Sequence, residues 1–234
     1  MAYQLLRINN EFWNHERSLS ALLVYLASAV FVWIPLGDYP GQWWSFLISD
    51  ILFNLIILAG VFSVMTRWKR QLFFIIIAMA ASFSRILYFV VHDQWIQVSS
   101  YFFAIVFFVY LVKRVLSHIF KDGPVNFYRI QGSVVVFMLV GLIYSLLYTL
   151  VEFFFPGSFS STHVSSAYQP ISSHFMYFSF VTMTTLGLGD MIPVGSLAKS
   201  LVVFQGMIGL LYPVIMIARL VSMEVAHSTL GKRG

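Results

Sequence analysis

Polar residues in this chain come in bunches, and the bunches divide it into long apolar runs. A helix of about 20 apolar residues, rising 1.5 Å per residue, crosses the hydrocarbon core of a bilayer. Runs of that order occupy 19–36, 44–66, 71–91, 97–119, 130–154 and 197–223. A further run, 171–184, is too short to cross. The pattern predicts an all-α membrane protein with six transmembrane helices and one short extra segment between the fifth and sixth. It also divides the chain: an N-terminal segment 1–18, a four-helix bundle 19–119, a linker 120–129, a second helical unit 130–223 and a tail 224–234.

Composition points the same way. Of 234 residues, 59% are hydrophobic and 10% are charged, with mean hydropathy +0.84. A soluble domain carries about 25% charged residues, so this chain lacks the polar sequence for a soluble surface. The absence of cysteine excludes disulfide frameworks, thiolate metal sites and cysteine nucleophiles.

The charges then orient the spans. Twelve of the 14 basic residues fall on one side: Arg7, Arg17, Arg67, Lys69, Arg70, Lys113, Arg114, Lys121, Arg129, Arg219, Lys232 and Arg233. The other side holds Asp38, Asp93, Glu152 and Asp190, with Lys199 its one basic residue. The positive-inside rule puts both termini in the cytoplasm of a multi-pass cell-membrane protein. The net charge of +5 therefore does not point to nucleic acid. Trp43, Trp44, Trp68 and Trp95 sit near span ends, as interfacial anchors do. Ala27-Ser28-Ala29 fits a signal-peptidase site, but the apolar run continues past it, which favours a retained helix. Residues 1–18, with Leu5, Leu6, Ile8, Phe12 and Trp13, read equally as an interfacial helix or a flexible tail.

The short segment and the stretch TMTTLGLGD (182–190) lie between spans five and six. Non-helical backbone at membrane depth is tolerated where it lines a water-filled path or is buried in protein. The segment is therefore expected to re-enter: a half-helix descends and an extended strand returns. Pro170 suits the first turn of that half-helix. Gly157, Ser158, Ser160, Ser161 and Ser165 suit an exposed turret before it. Gly187 and Gly189 can adopt backbone angles closed to other residues. Several copies around an axis would stack carbonyls in rings that replace a cation's hydration shell, with the half-helix's negative pole facing the same cation.

Thr182-Met183-Thr184-Thr185-Leu186-Gly187-Leu188-Gly189-Asp190 resembles the signature of the tetrameric potassium channels, T-x-T-T-V-G-Y-G-D. It is strict at Thr182, Thr184, Thr185, Gly187, Gly189 and Asp190, and Pro193 follows as it often does there. The link from this motif to potassium selectivity is a property of that family, not of spacing alone. The resemblance covers about 130–223 and implies an outer helix, a pore helix 171–184, a filter 185–190 and an inner helix 197–223. It implies a homotetramer in the lipid bilayer, passing monovalent cations. It also implies that Thr185, Leu186, Gly187, Leu188 and Gly189 form the filter that binds potassium and that Thr182, Thr184, Tyr177 and Asp190 support it. Ile217-Ala218-Arg219-Leu220-Val221 is similar to the inner-helix end of small bacterial members.

Two positions depart from the pattern. Leu186 for valine keeps an apolar wedge. Leu188 replaces an aromatic ring that braces the filter, and leucine cannot donate a hydrogen bond. Some two-pore-domain channels share this leucine, so conduction is expected. Strict selectivity and a weakly selective potassium/sodium channel both stay open, beside a non-conducting membrane sensor. Where the family often pairs the aspartate with a pore-helix tryptophan, this chain has Tyr177, so a Tyr177–Asp190 hydrogen bond is expected.

The first four spans resemble a sensor bundle without its sensor. Moving one charge through 100 mV is worth about 2.3 kcal/mol, so steep gating needs several. Span four carries only Lys113 and Arg114, adjacent at its cytoplasmic end, so steep voltage gating is not expected. Asp50 and Arg85 lie at matching depths, roughly 10 Å below the outer ends of spans two and three. Intramembrane charges are usually paired, so these two are expected to meet, with Asn54 one turn below. Gly206, Gly209 and Pro213 interrupt the inner helix and read as a gating hinge or as a fixed kink. His163 and His174 lie near the outer mouth and read as proton sensors or as solvated side chains. No metal other than potassium, no cofactor, no nucleophile–base pair and no enzymatic activity is expected.

Overall fold

A computed structural model of the chain describes residues 19–35, 43–64, 68–91, 93–120, 125–161 and 173–231. Helix α1 runs Leu19–Pro35. It is followed by α2 (Trp43–Val64), α3 (Trp68–Val91), α4 (Gln94–Ile119) and α5 (Phe127–Phe154). Strand β1 (Phe159–Ser161), α6 (Ser173–Met183), β2 (Met191–Pro193) and α7 (Ser196–Gly231) complete the order.

Proline marks three of the breaks. A proline inside a helix loses a hydrogen bond and clashes with the preceding turn. Pro35 ends α1, Pro156 follows α5, and Pro193 closes β2. Pro213 alone lies inside a described helix, and α7 continues through it. Polar caps fix two starts. The Asp93 carboxylate accepts from the Trp95 N–H at 2.7 Å, and the Asn126 side chain accepts from the Arg129 N–H at 3.1 Å.

Among the described residues, three helices have the length and composition to cross a membrane: Gln94–Ile119, Phe127–Phe154 and Ser196–Ala226. Leu19–Pro35, Leu47–Ser63 and Phe74–Tyr88 are apolar but shorter. In lipid, such helices cohere through close packing and hydrogen bonds rather than through exclusion of water. The bundle core is aromatic. Phe74 stacks on Phe107 at 4.5 Å between ring centroids, and Phe53 meets Phe108 edge-on at 6.0 Å. Helix α4 packs along α5 of the same chain, and the Ser20 hydroxyl donates to Gln131 at 3.0 Å, tying α1 to α5. The four-helix unit thus sits against the outer helix of its own chain.

The helix ends differ from the apolar runs in one important respect. The inner helix continues eight residues past 223, so most of the expected tail 224–234 is helical. The end of hydrophobicity marks a change of solvent. Glu224, Val225 and Ala226 carry no breaker, so the backbone continues to Gly231. The outer helix starts at Phe127 rather than 130, at its Asn126 cap, and the short helix is described from Ser173 to Met183. The segment 1–18, His163, Ser165 and Pro170 lie outside the described residues.

Candidate functional site

Helix α6 is 11 residues long and is held on two sides. On α5, Gly141 brings its backbone so near that a Cβ there would lie 2.8 Å from the Phe180 ring. On α7, a Cβ at Gly209 would lie 2.8 Å from the Met183 carbonyl carbon and overlap its oxygen. Gly209, read from sequence with Gly206 and Pro213 as a hinge or a fixed kink, therefore also has a packing role: the inner-helix backbone touches the last turn of α6. Gly206, three residues earlier, has nothing within 4 Å of such a Cβ.

The end of α6 has a defined geometry. The Leu186 N–H donates to the Val181 carbonyl at 3.0 Å, and the Thr185 N–H donates to the Thr182 carbonyl at 3.1 Å. This is the Schellman pattern, in which the residue after the cap takes a left-handed conformation. That residue is usually glycine. Here it is Thr185, with φ +59°. A β-branched residue in that region is an outlier that costs roughly 1–3 kcal/mol, and such strain concentrates at functional segments. Sequence reading gave the glycines this conformational role and missed the threonine. The Thr-Thr preceding Gly-x-Gly was its only trace.

The hand then alternates. Gly187 and Gly189 have φ +54° and +79°, while Leu186 and Leu188 are not among the residues with positive φ. In an ordinary strand successive carbonyls point to opposite sides. Alternating the sign of φ is the backbone pattern that turns them toward one side, which makes 185–189 a candidate row of carbonyl oxygens. Residues 184–189 are exposed in the single chain, Leu186 at 64% and Leu188 at 62%.

Asp190 anchors the far end of this row. Tyr177 makes a side-chain hydrogen bond to its carboxylate, and Asp190 Oδ1 also accepts from the Met191 N–H at 3.1 Å. Strand β2 follows at once and pairs antiparallel with β1, Ser160 opposite Ile192. The Glu152 carboxylate holds that outer turn, accepting from the Gly157 N–H at 2.8 Å and the Phe159 N–H at 3.1 Å.

A match to known proteins accompanies this geometry. Residues 136–226 match the family model described as "Ion channel". The matched stretch begins within α5 and includes α6, the 185–189 row and α7 up to Ala226. It is under half of the chain. The match supports an ion-channel superfamily and, with the apolar helices, a membrane transport protein. No curated protein matches the chain.

Two further groups lie apart from that row. Arg85 Nε and Nη2 each approach Asp50 Oδ1 at 2.6 Å, and the guanidinium lies 4.3 Å from the centroid of Phe53. Asn54 instead donates to the Asp50 backbone carbonyl at 2.8 Å. Lys113 and Arg114 are exposed near the C-terminal end of α4. His174 is half-buried on α6. Among the described residues no three His, Asp or Glu side chains converge to hold a metal.

The second group was not singled out from sequence. Gln205 of α7 is completely buried and bonds to Ser179 of α6 and Tyr148 of α5. An amide at membrane depth within a long apolar run was the available signal.

Proposed function

We propose that the protein is a potassium-selective channel: a homotetramer of six-span chains in the cell membrane, with both termini cytoplasmic and without steep voltage gating. The observation that carries this reading is the alternating backbone hand of 185–189, set by the turn at Thr185 and anchored by Asp190. Four such rows around an axis form carbonyl rings that substitute for the hydration shell of potassium. One chain supplies one row, and its row is exposed. The apolar window of α7 is 17% buried, against 67% for α5, leaving a broad inner-helix face for neighbouring copies. The α6 C-terminus directs its negative pole at the same ions. The bundle α1–α4 acts as a scaffold, because α4 lacks regularly spaced arginines.

Leu188 favours a second reading, a channel weakly selective among monovalent cations. Its exposed side chain offers neither the ring nor the hydroxyl that would stiffen the row from behind. Cation flux into liposomes loaded with a fluorescent reporter tests both. The potassium reading expects uptake of potassium far above sodium. Equal uptake of both favours the second reading, and no uptake of either refutes a conducting pore.

A further inference from the structure

Every polar atom of the Gln205 side chain is used. Nε2 donates to the Ser179 carbonyl oxygen at 3.1 Å and to the Ser179 hydroxyl oxygen at 2.7 Å. Oε1 accepts from the Tyr148 hydroxyl. The Ser179 hydroxyl in turn donates to the Gly141 carbonyl at 2.6 Å. A backbone carbonyl only accepts, so the amide nitrogen must face Ser179 and the oxygen must face Tyr148. The four bonds thus have one consistent assignment. They close a loop from α5 to α7 to α6 and back to α5. Gln205, Ser179 and Tyr148 are all fully buried.

These bonds have no replacement. Gln205 lies nine residues into α7, about 13 Å along the helix, where no water stands ready to satisfy a freed donor. A helix this deep in a bundle draws its stability from tertiary packing rather than from its own propensity. Its position is therefore set by what grips it. The glycine contacts at Gly141 and Gly209 limit how near the helices come, but packing alone leaves sliding and rotation. Hydrogen bonds are directional and remove both. Ser179 is one turn before the end of α6 and six residues before Thr185, so a slip there moves the first turn of the carbonyl row.

We infer that Gln205 is a positioning residue for the filter. Through Tyr148 and Ser179 it fixes the depth and rotation of α6, and so the height at which Thr185 begins the row. This rests on the reading of 185–189 as an ion filter. The network also stands in for bracing that Leu188 cannot supply.

The test compares the parent with Gln205→Met, which keeps length and removes every polar atom, with Tyr148→Phe, and with the double variant. Two quantities are read: the sodium-to-potassium permeability ratio from reversal potentials, and hydrogen exchange of peptides spanning 179–190. Gln205→Met is expected to raise both about tenfold and Tyr148→Phe about threefold, with no added effect of Tyr148→Phe once Gln205 is methionine. A Gln205→Met protein with a lower thermal midpoint but an unchanged permeability ratio and unchanged exchange at 184–190 overturns the inference, leaving a purely structural role. If Gln205→Met fails to assemble, Tyr148→Phe decides alone, and parental values for both quantities overturn it. A parent that passes no cation current refutes the channel reading. In that case exchange, which needs no current, still decides whether Gln205 orders 184–190.

Discussion

Gly206→Ala and Gly209→Ala form a matched pair on one helix, and the structure predicts opposite signs for them. Alanine is about 1 kcal/mol better than glycine in a helix interior. Gly206 has open space around it within the chain, so Gly206→Ala should stabilise the folded protein by about that amount. At Gly209 the same gain is opposed by overlap with the Met183 carbonyl group. That atom is backbone, so relief requires α6 or α7 to move by about an ångström. Overpacking of this kind costs about 1–3 kcal/mol. Gly209→Ala should therefore be net destabilising, by up to about 2 kcal/mol. A pure hinge role makes the contrary prediction, with both substitutions stabilising and Gly209→Ala impairing only opening. Thermal unfolding of the purified protein in detergent, in matched potassium, separates them. A Gly209→Ala midpoint equal to or above that of Gly206→Ala would refute the close-approach argument.

Other substitutions probe the remaining contacts. Asp50→Ala leaves Arg85 buried without its carboxylate. A fully buried pair costs about 3–5 kcal/mol to break; Asp50 is 31% exposed, so a loss near the lower end is expected, and a thermal midpoint unchanged from the parent would contradict it. Tyr177→Phe removes one bond to Asp190 and should speed the decay of sustained current several-fold, whereas identical decay would mean the bond does not hold the row. Leu188→Tyr restores a ring and a donor beside the row and should lower the sodium-to-potassium permeability ratio; a ratio at or above the parental one would show that Leu188 does not limit selectivity. Replacing potassium by sodium should lower the thermal midpoint, since an ion bound only by the folded assembly stabilises it by mass action, and equal midpoints in the two salts would count against ion binding at the row.

Much of the architecture is legible in the sequence because lipid imposes a coarse and strict demand: long apolar runs, with polar residues between them. That is why the approximate positions of the described helices, and a short helix between the last two long ones, are legible in the sequence. The same signal misled at the end of the inner helix, where Glu224 marks the edge of the apolar solvent while the helix continues. The candidate site was legible where chemistry is written in residue type: Gly187, Gly189, Asp190 and the threonines. It was not legible where the role depends on what another helix brings near. Thr185 takes a left-handed conformation because it closes α6, Gly209 is needed by a carbonyl 26 residues away, and Gln205 acquires meaning only with Ser179 and Tyr148 around it. Asp50 and Arg85 fall between these cases. Their depths follow from counting residues along helices, while the 2.6 Å geometry needs the bundle.

The central claim is that 185–189 forms a filter that prefers potassium. The most direct measurement is the reversal potential of the purified protein in a planar bilayer, with potassium on one side and sodium on the other. The account predicts a value near the potassium equilibrium potential. A reversal near zero with measurable current, or no current from an intact assembly at any voltage, would contradict it.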